Sequence, residues 1–232
     1  MYKLPTKWSP QQTAFIDWAV NGQGSCVVEA VAGSGKTTTL LGAIKGLVQN
    51  GETVAFLVFN KKNADETKEK FEALGIRYPN VCSTVHSAGF QALRNTFRNL
   101  TVDGRKVYNI INAMYPNYAH SAIVAQLVSY AKQKCIGVLL PIDDVQNWRD
   151  LVTHHNMVDE DFQGDDVKIA IERAIKVLEK NNKDTKVIDF DDQIYLCLVH
   201  PCRFTQYDVV IIDEAQDTND CRREIAKRMM KP

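Results

Sequence analysis

The hydrophobic pattern of the chain changes period several times between a short strand period and a longer helical one. Four short runs are predicted to be strands, and the second of them is continuously apolar, as is typical of a strand buried on both faces of a parallel sheet. These runs are residues 25–30, 53–59, 81–84 and 208–213. Each is followed, directly or after a short turn, by a segment that is predicted to be helical. These segments are residues 36–50, 61–74, 86–98 and 219–230. The alternation predicts an α/β fold with a parallel sheet.

Residues 99–200 have a different pattern, in which strand signals are sparse and helical periods dominate. The clearest helical segments are residues 119–134, 143–155 and 167–180. Residues 159–166 are strongly acidic, but they miss the spacing of a calcium loop and are typical of a solvated loop. We therefore predict one α/β domain in two segments, residues 1–98 and 201–232, with a helical subdomain inserted at residues 99–200.

Composition narrows the class of protein only modestly. The chain has 232 residues, of which 45% are hydrophobic and 24% charged, as is usual for a globular protein. No stretch approaches the roughly 20 apolar residues of a membrane span, and the N-terminal residues do not resemble a signal peptide. The formal net charge of zero argues against a strongly basic DNA-packaging domain, but it allows a local groove for a short single strand. The six scattered cysteines are typical of buried thiols in a reducing compartment, so we expect a cytoplasmic protein with no membrane contact.

The strongest chemical signal is the sequence Ala-Val-Ala-Gly-Ser-Gly-Lys-Thr at residues 30–37. It lies between a predicted strand and a predicted helix, which is the context of a phosphate-binding loop. Glycines allow backbone N–H groups to point inward at a phosphate, and the N-terminus of the following helix adds partial positive charge. We predict that Lys36 contacts the β- and γ-phosphates of a nucleotide and that the Thr37 hydroxyl binds Mg²⁺.

A second signal is the pair of acids at the end of the last predicted strand. Asp213 follows the apolar run directly, at the edge of the sheet, where it could bind the magnesium ion. Glu214 follows it and could orient or deprotonate an attacking water molecule. Water as the acceptor means hydrolysis, whereas a kinase for a small metabolite needs no glutamate at this position.

Together these segments resemble the UvrD/Rep/PcrA group of superfamily 1 DNA helicases, and the motif sequences are most similar to those of the F-box DNA helicase branch. The resemblance rests on the phosphate loop, on Asp-Glu-Ala-Gln-Asp-Thr-Asn at residues 213–219, and on the order of the motifs over nearly the whole chain. It implies a RecA-like ATP-binding domain 1A with a helical insertion 1B, using ATP and Mg²⁺. It also implies catalytic roles for Lys36, Glu214 and Gln216, and Mg²⁺ binding by Thr37 and Asp213. The ATP-binding residues that it implies are Gln12, Ala32, Gly33, Ser34, Gly35, Lys36, Thr37 and Thr38.

The same resemblance assigns contacts with single-stranded DNA to two further segments. They include Phe59, Asn60 and Lys61 after the second predicted strand, and Thr84 and His86 after the third. Each has a simpler alternative: Phe59 could be a core residue, Lys61 a solvated helix position, and His86 a structural histidine. Residues 188–192, Ile-Asp-Phe-Asp-Asp, resemble the segment where the family chain returns from its insertion, and we expect their acids to complement a helix N-terminus.

The sequence allows two roles for Gln12. With Ser9 as N-cap and Pro10 in the first turn, Gln12 would complete a capping box at the start of the first helix. By resemblance to the family's Q motif, the same side chain would read the adenine edge. Thr38 stands where UvrD and Rep carry an arginine near the nucleotide, so we expect that contact to differ.

The given sequence ends at Pro232, about where motif III begins in the family. The resemblance therefore implies that motifs III to VI and a second RecA-like domain, 2A/2B, complete the motor, with 3′ to 5′ movement on single-stranded DNA. We expect residues 1–232 to bind ATP with magnesium, to hydrolyse it slowly and not to unwind DNA. The alternatives are an ATP-responsive binding module that is not a motor, and a phosphate-loop kinase for a small metabolite.

Overall fold

The structure is a computed structural model that describes residues 2–31 and 33–232. The chain divides into two compact units. Unit 1 contains residues 1–85, 205–217 and 226–232, and unit 2 contains residues 86–204 and 218–225. The strands are β1 (Val54–Val58), β2 (Val81–Thr84), β3 (Thr101–Val102), β4 (Val187–Ile188) and β5 (Val209–Ile212). The helices are α1 (Pro10–Asn21), α2 (Lys36–Gln49), α3 (Lys61–Ala73), α4 (Val85–Thr96), α5 (Lys106–Met114), α6 (Ser121–Gln133), α7 (Val145–His154), α8 (Asp165–Lys183), α9 (Asp192–Val199) and α10 (Asp220–Arg228).

Unit 1 is built on a three-stranded parallel sheet in the order β2-β1-β5. The central strand β1 is buried along its whole length, as its continuous apolar run predicts. Its register pairs Val58 with Thr84 of β2 and Leu57 with Ile212 of β5, so the carboxyl ends of the three strands lie at one edge. Side chains that follow these strands are therefore neighbours, although paired residues of β1 and β5 are 155 positions apart along the chain.

The strand predicted at residues 25–30 is wrong. This segment has no regular structure, and its apolar side chains are exposed: Val27 is 85% accessible and Cys26 lies at the surface. A strand needs a partner as well as an apolar sequence, and β1 is already paired on both sides by β2 and β5. The segment could join the sheet only at an outer edge, and it pairs with neither edge strand.

Helix α1 packs closely on α2, the helix that follows the phosphate loop. Two glycines on successive turns of α2 permit this approach. A Cβ atom on Gly42 would lie 3.0 Å from side-chain atoms of Ile16 and Trp8, and one on Gly46 would lie 2.6 Å from Val20. These glycines lower the helix propensity of α2, but they bring α1 against it. The start of α1 is thereby placed beside the start of α2.

Unit 2 is mainly helical, with α5, α6, α7 and α8 packed against one another and a two-stranded parallel pair of β3 and β4. Its core also contains four charged side chains. Lys132 Nζ lies 2.6 Å from a carboxylate oxygen of Asp189 and 2.8 Å from one of Asp192, and Lys106 Nζ lies 2.8 Å from Asp192. Asn181 adds hydrogen bonds to Lys132 and Asp192. The network joins the start of α9 to α5, α6 and α8.

The α/β fold class is confirmed, and the predicted helices agree with the structure to within a few residues at each end. The sequence pattern did not predict α5, α9, β3 or β4 as elements. Compact packing divides the chain near residues 85 and 205, whereas we predicted boundaries at 98 and 200, because α4 packs within unit 2. The assignment of domains 1A and 1B stays a prediction. No helix in the described part of the chain is long and apolar enough to cross a membrane.

Candidate active site

The loop before α2 has the backbone shape of an anion-binding turn. Gly33 and Gly35 have φ angles of 78° and 83°, a left-handed conformation that favours glycine. Gly35 is the N-cap of α2, and no side chain caps that end of the helix. The first N–H groups of α2 therefore lack a side-chain acceptor, which suits them to an anionic ligand. Of the predicted residues here, Ala32 lies outside the described residues, and Ser34 and Thr38 lie in the loop and in the first turn of α2.

The first turn of α2 meets the end of β5. The Thr37 hydroxyl lies close enough to the Asp213 carboxylate to lower its pKa, and Lys36 lowers it electrostatically. Burial, followed by the neighbouring charge of Glu214, raises the pKa of Asp213, and Lys36 and Thr37 oppose this rise only in part. Lys36 Nζ also donates a hydrogen bond to the carbonyl oxygen of Ala30, at 3.2 Å. Tertiary structure thus joins two motifs that are 176 residues apart in sequence.

The two acids after β5 are held in different ways. The Asp213 N–H donates to the Leu57 carbonyl at 2.8 Å and so extends the ladder between β5 and β1 by one residue. Glu214 has a φ angle of 52°, which is unusual for a residue other than glycine and often marks a functional position. The Gln216 side-chain amide donates to Glu214 Oε2 at 2.6 Å, which fixes the direction of that carboxylate.

Gln12 combines the capping role with a contact to the phosphate-loop region. Its side-chain oxygen accepts from the Ser9 N–H at 3.0 Å, and its N–H donates to the Ser9 hydroxyl at 3.2 Å, so the capping box is confirmed. Its amide nitrogen also donates to Thr39 Oγ1 at 2.9 Å. Thr39 in turn donates to the Gly35 carbonyl at 3.0 Å. Gln12 is therefore linked through Thr39 to the glycine that begins α2.

The residues predicted to contact DNA occupy several environments. Phe59 follows β1 at the carboxyl edge of the sheet and is 47% accessible, so the core alternative for it is wrong. Asn60 is the N-cap of α3 and accepts from the Asn63 N–H at 2.8 Å, and Lys61 is the exposed first residue of that helix. Thr84 ends β2 and is buried. His86 belongs to unit 2, where burial and then the charge of Arg222 lower its pKa.

Sequence reasoning missed two groups of polar residues. Thr39 is buried and connects Gln12 to Gly35, and the run of three threonines at positions 37–39 was its only sequence signal. The network around Lys132 was also missed. Its signal was a lysine on the apolar face of α6, at helical spacing from Leu127 and Val128.

A cavity of about 540 Å³ in unit 1 contains none of the predicted site residues. It lies where the N-terminal segment meets α1, α2 and the end of α3, and Trp8, Lys45 and Leu74 are among its lining residues. The concave space is therefore separate from the phosphate loop, where the charged and glycine-rich groups converge. We place the candidate site at the loop, because the side chains there have the chemistry of phosphate binding.

Comparison with known proteins identifies the class to which this chain belongs. Residues 8–232 match the family model of the UvrD/REP helicase N-terminal domain. Because the match covers almost the whole chain, the chain belongs to this family of DNA helicases, and the family resemblance is confirmed. A curated relative is the ATP-dependent DNA helicase Rep of Buchnera aphidicola subsp. Baizongia pistaciae (strain Bp), which is 21% identical over 219 residues. The alignment covers 88% of this chain and 31% of that relative, so the chain spans about a third of the relative's length.

Proposed function

We propose that residues 1–232 bind ATP with magnesium, and that in the whole protein this site drives movement along single-stranded DNA in the 3′ to 5′ direction, coupled to ATP hydrolysis. The observation that carries the proposal is the proximity of Lys36 and Thr37 to Asp213, on whose pKa both residues act. It places the start of the phosphate-loop helix against the acid at the end of β5. Family membership and the name of the Rep relative, an ATP-dependent DNA helicase, support the same activity.

The residues of the site fit a magnesium ion. A hydroxyl and a carboxylate, those of Thr37 and Asp213, lie near each other, and oxygen donors of this kind are the ligands that Mg²⁺ prefers. The raised pKa of Asp213 indicates that this carboxylate lacks full compensation for its buried charge. A bound Mg²⁺ would supply that compensation and neutralise charge on the phosphates.

Different groups of the chain would bind the phosphates and activate the attacking water. The N–H groups at the start of α2 and the Lys36 ammonium would bind phosphate oxygens. Glu214, oriented by the amide of Gln216, would accept a hydrogen bond from the attacking water and take its proton.

Capping and adenine recognition are compatible at Gln12. A glutamine side chain has two N–H donors and two acceptor lone pairs. Ser9 and Thr39 use one of each, which leaves one donor and one acceptor. Adenine is recognised by a donor and an acceptor of this kind, acting together on its N7 and N6 groups. We propose that Gln12 reads the adenine while it holds the start of α1.

The carboxyl edge of the sheet also supports the DNA assignment. Phe59 presents an exposed ring beside a lysine, and an aromatic ring with neighbouring positive charge is a common way to bind single strands. We propose that this edge contributes part of the DNA path in the whole protein. In such motors a second domain supplies charged groups to the γ-phosphate, and one arginine of this kind is worth about 10³–10⁵ in rate. We therefore expect slow ATP turnover and no unwinding by residues 1–232 alone.

The Lys36→Ala variant tests nucleotide binding through thermal stability. At an ATP·Mg concentration of about 100 times the dissociation constant, ligand binding stabilises the wild type by about 2.7 kcal/mol. If the variant binds about 100-fold more weakly, the same concentration stabilises it by only about 0.4 kcal/mol. We expect the melting temperature without nucleotide to change little, because Lys36 lies at the accessible start of α2.

Lys45→Ala is the matched control, because Lys45 lies on the same helix and outside the phosphate loop. It should keep the full ATP-induced stabilisation. Equal stabilisation of the wild type and the Lys36→Ala variant by ATP·Mg would refute the assignment. In the whole protein, Glu214→Gln should abolish DNA-stimulated ATP turnover and leave ATP binding intact, whereas a protein that is not a motor would show no stimulation by DNA.

A further inference from the structure

Two buried cysteines of unit 2 lie side by side, although 86 residues separate them in sequence. The Sγ atoms of Cys135 and Cys221 are 2.6 Å apart, and neither residue is accessible to solvent. Cys135 follows α6 in a tight turn and has a φ angle of 60°. Cys221 is the second residue of α10, the helix that follows the acid motif.

Neighbouring contacts hold these two sulfur atoms close to each other. The Cys221 thiol donates to the Lys132 carbonyl at 2.8 Å, at the end of α6. Lys134 Nζ lies 2.7 Å from a carboxylate oxygen of Asp220, the residue before Cys221. The start of α10 is therefore attached to the end of α6 by an ion pair and a hydrogen bond on either side of the sulfur pair. Forming a covalent bond of about 2.05 Å needs a movement of only about half an ångström.

We propose that Cys135 and Cys221 are a redox-sensitive pair that forms an intramolecular disulfide when the protein meets a disulfide oxidant such as oxidised glutathione. One cysteine attacks the oxidant as its thiolate, which forms a mixed disulfide and releases one glutathione thiol. The second cysteine then attacks the protein sulfur of that mixed disulfide and releases the second thiol. The two cysteines lose two electrons and two protons, and the oxidised glutathione gains them.

The surroundings determine the order and the speed of these steps. The hydrogen bond with Cys135, and then burial, raise the pKa of the Cys221 thiol, so its thiolate is rare. Cys135 belongs to a turn whose residue Leu139 is half exposed, so local opening of this turn gives the oxidant its first access. Cys135 therefore reacts first and Cys221 resolves the mixed disulfide. Oxidation is slow and depends on opening of the turn.

The disulfide would fasten the beginning of α10 to the helical insertion across a long loop of chain. Because it restricts the unfolded state over 86 residues, it should raise the melting temperature of the oxidised protein by about 5–15 °C. The bond would also fix the start of α10, which begins at Asp220, only three residues after Asp217 at the end of the acid motif. This inference does not depend on ATP binding, so its test is independent of the proposed function.

The test uses residues 1–232 with the exposed Cys26 changed to serine, which prevents links between molecules at that position. The protein is incubated with oxidised glutathione, and its tryptic peptides are separated without reduction. Trypsin places Cys135 in residues 135–149 and Cys221 in residues 204–222, apart from the peptide 187–203 that carries the other nearby cysteines. We expect a linked pair of peptides 135–149 and 204–222, and an intact mass lower by two hydrogen atoms.

Matched variants separate this bond from general oxidation. Cys221→Ser should abolish both the linked peptides and the rise in melting temperature, whereas Cys197→Ser and Cys82→Ser should keep both. The proposal is overturned if peptide 204–222 links instead to peptide 187–203. It is also overturned if both cysteines stay reduced at a urea concentration just below the unfolding transition. The wild-type peptide map decides between these outcomes even if Cys221→Ser does not fold.

Discussion

Changing Lys132 to methionine would remove one of the two positive charges from the buried network of unit 2. The side chain of Lys132 is only 1% accessible, and it contacts Asp189 and Asp192 at 2.6 and 2.8 Å. Methionine has a similar length and no charge, so it preserves most of the packing. Asp192 would keep the ammonium group of Lys106, whereas Asp189 would lose its lysine partner, and the core would carry one uncompensated negative charge.

The size of the effect follows from burial and distance. Removing one partner of a buried ion pair costs about 3–5 kcal/mol, because the remaining charge cannot be solvated. Lys134 provides the matched control two residues further along. Its side chain is 53% accessible and pairs with Asp220 at 2.7 Å, so Lys134→Met should cost less than about 1 kcal/mol.

The effect should depend on pH in a defined direction. Burial raises the pKa of Asp192, but Lys132 and Lys106 together outweigh burial and hold it below its usual range. A lowered pKa contributes stability that is present above the ordinary aspartate pKa of about 3.9 and is lost as the pH falls through the folded-state value. The Lys132→Met variant loses part of this contribution. The difference in free energy of unfolding between the wild type and the variant should therefore be largest at neutral pH and should shrink on acidification.

Urea unfolding followed by the fluorescence of Trp148, which is fully buried in unit 2, measures the deficit. Changing Trp8 and Trp18 to phenylalanine leaves Trp148 as the one tryptophan of the three in the sequence. We expect the midpoint of Lys132→Met to fall by about 1–2 M urea, because the slope rises with chain size and should lie near the upper end of its range of about 1–3 kcal/mol per M. Adding Asp189→Asn should recover much of the loss, because the remaining network is then neutral. A loss as small as that of Lys134→Met, or no recovery in the double variant, would refute the reasoning.

Three further predictions concern other positions. Gln12→Ala should lower the free energy of unfolding by about 1 kcal/mol, because the capping box is lost. It should also reduce the preference for ATP over GTP in thermal-shift titrations. An unchanged preference would mean that Gln12 has only the structural role. Gly89→Ala should destabilise the protein by about 1–3 kcal/mol or more in chemical denaturation, because the added Cβ would overlap the backbone oxygen of Gln193. Gly104→Ala is the control and should be nearly neutral, because the space around Gly104 is open. Asp208→Asn should lower the melting temperature most at neutral pH, because hydrogen bonds from a neighbouring lysine and threonine hold the pKa of Asp208 well below its usual range. The difference from the wild type should shrink progressively as the pH falls below the ordinary aspartate pKa of about 3.9, and a difference independent of pH would contradict this.

The sequence by itself determined the elements whose signals are local. The continuous apolar run at residues 53–59 predicted β1, because a strand buried on both faces needs apolar side chains at every position. Shorter local signals predicted β2 and β5. The Ser-Pro-x-Gln sequence predicted the capping box at α1, since all its partners lie within four residues. The phosphate loop could be recognised for the same reason, because its glycines and the following helix are contiguous.

Only the tertiary structure decided which distant groups meet. Residues 25–30 have the composition of a strand, yet pairing depends on which strands are available, and β1 is occupied on both sides. The proximity of Thr37 to Asp213 depends on the crossover that places β5 beside β1, and no local pattern contains that information. The buried network of Lys132 and the sulfur pair of Cys135 and Cys221 are likewise set by helix packing. Lys132 and Asp189 are 57 residues apart in sequence, and the two cysteines are 86 apart.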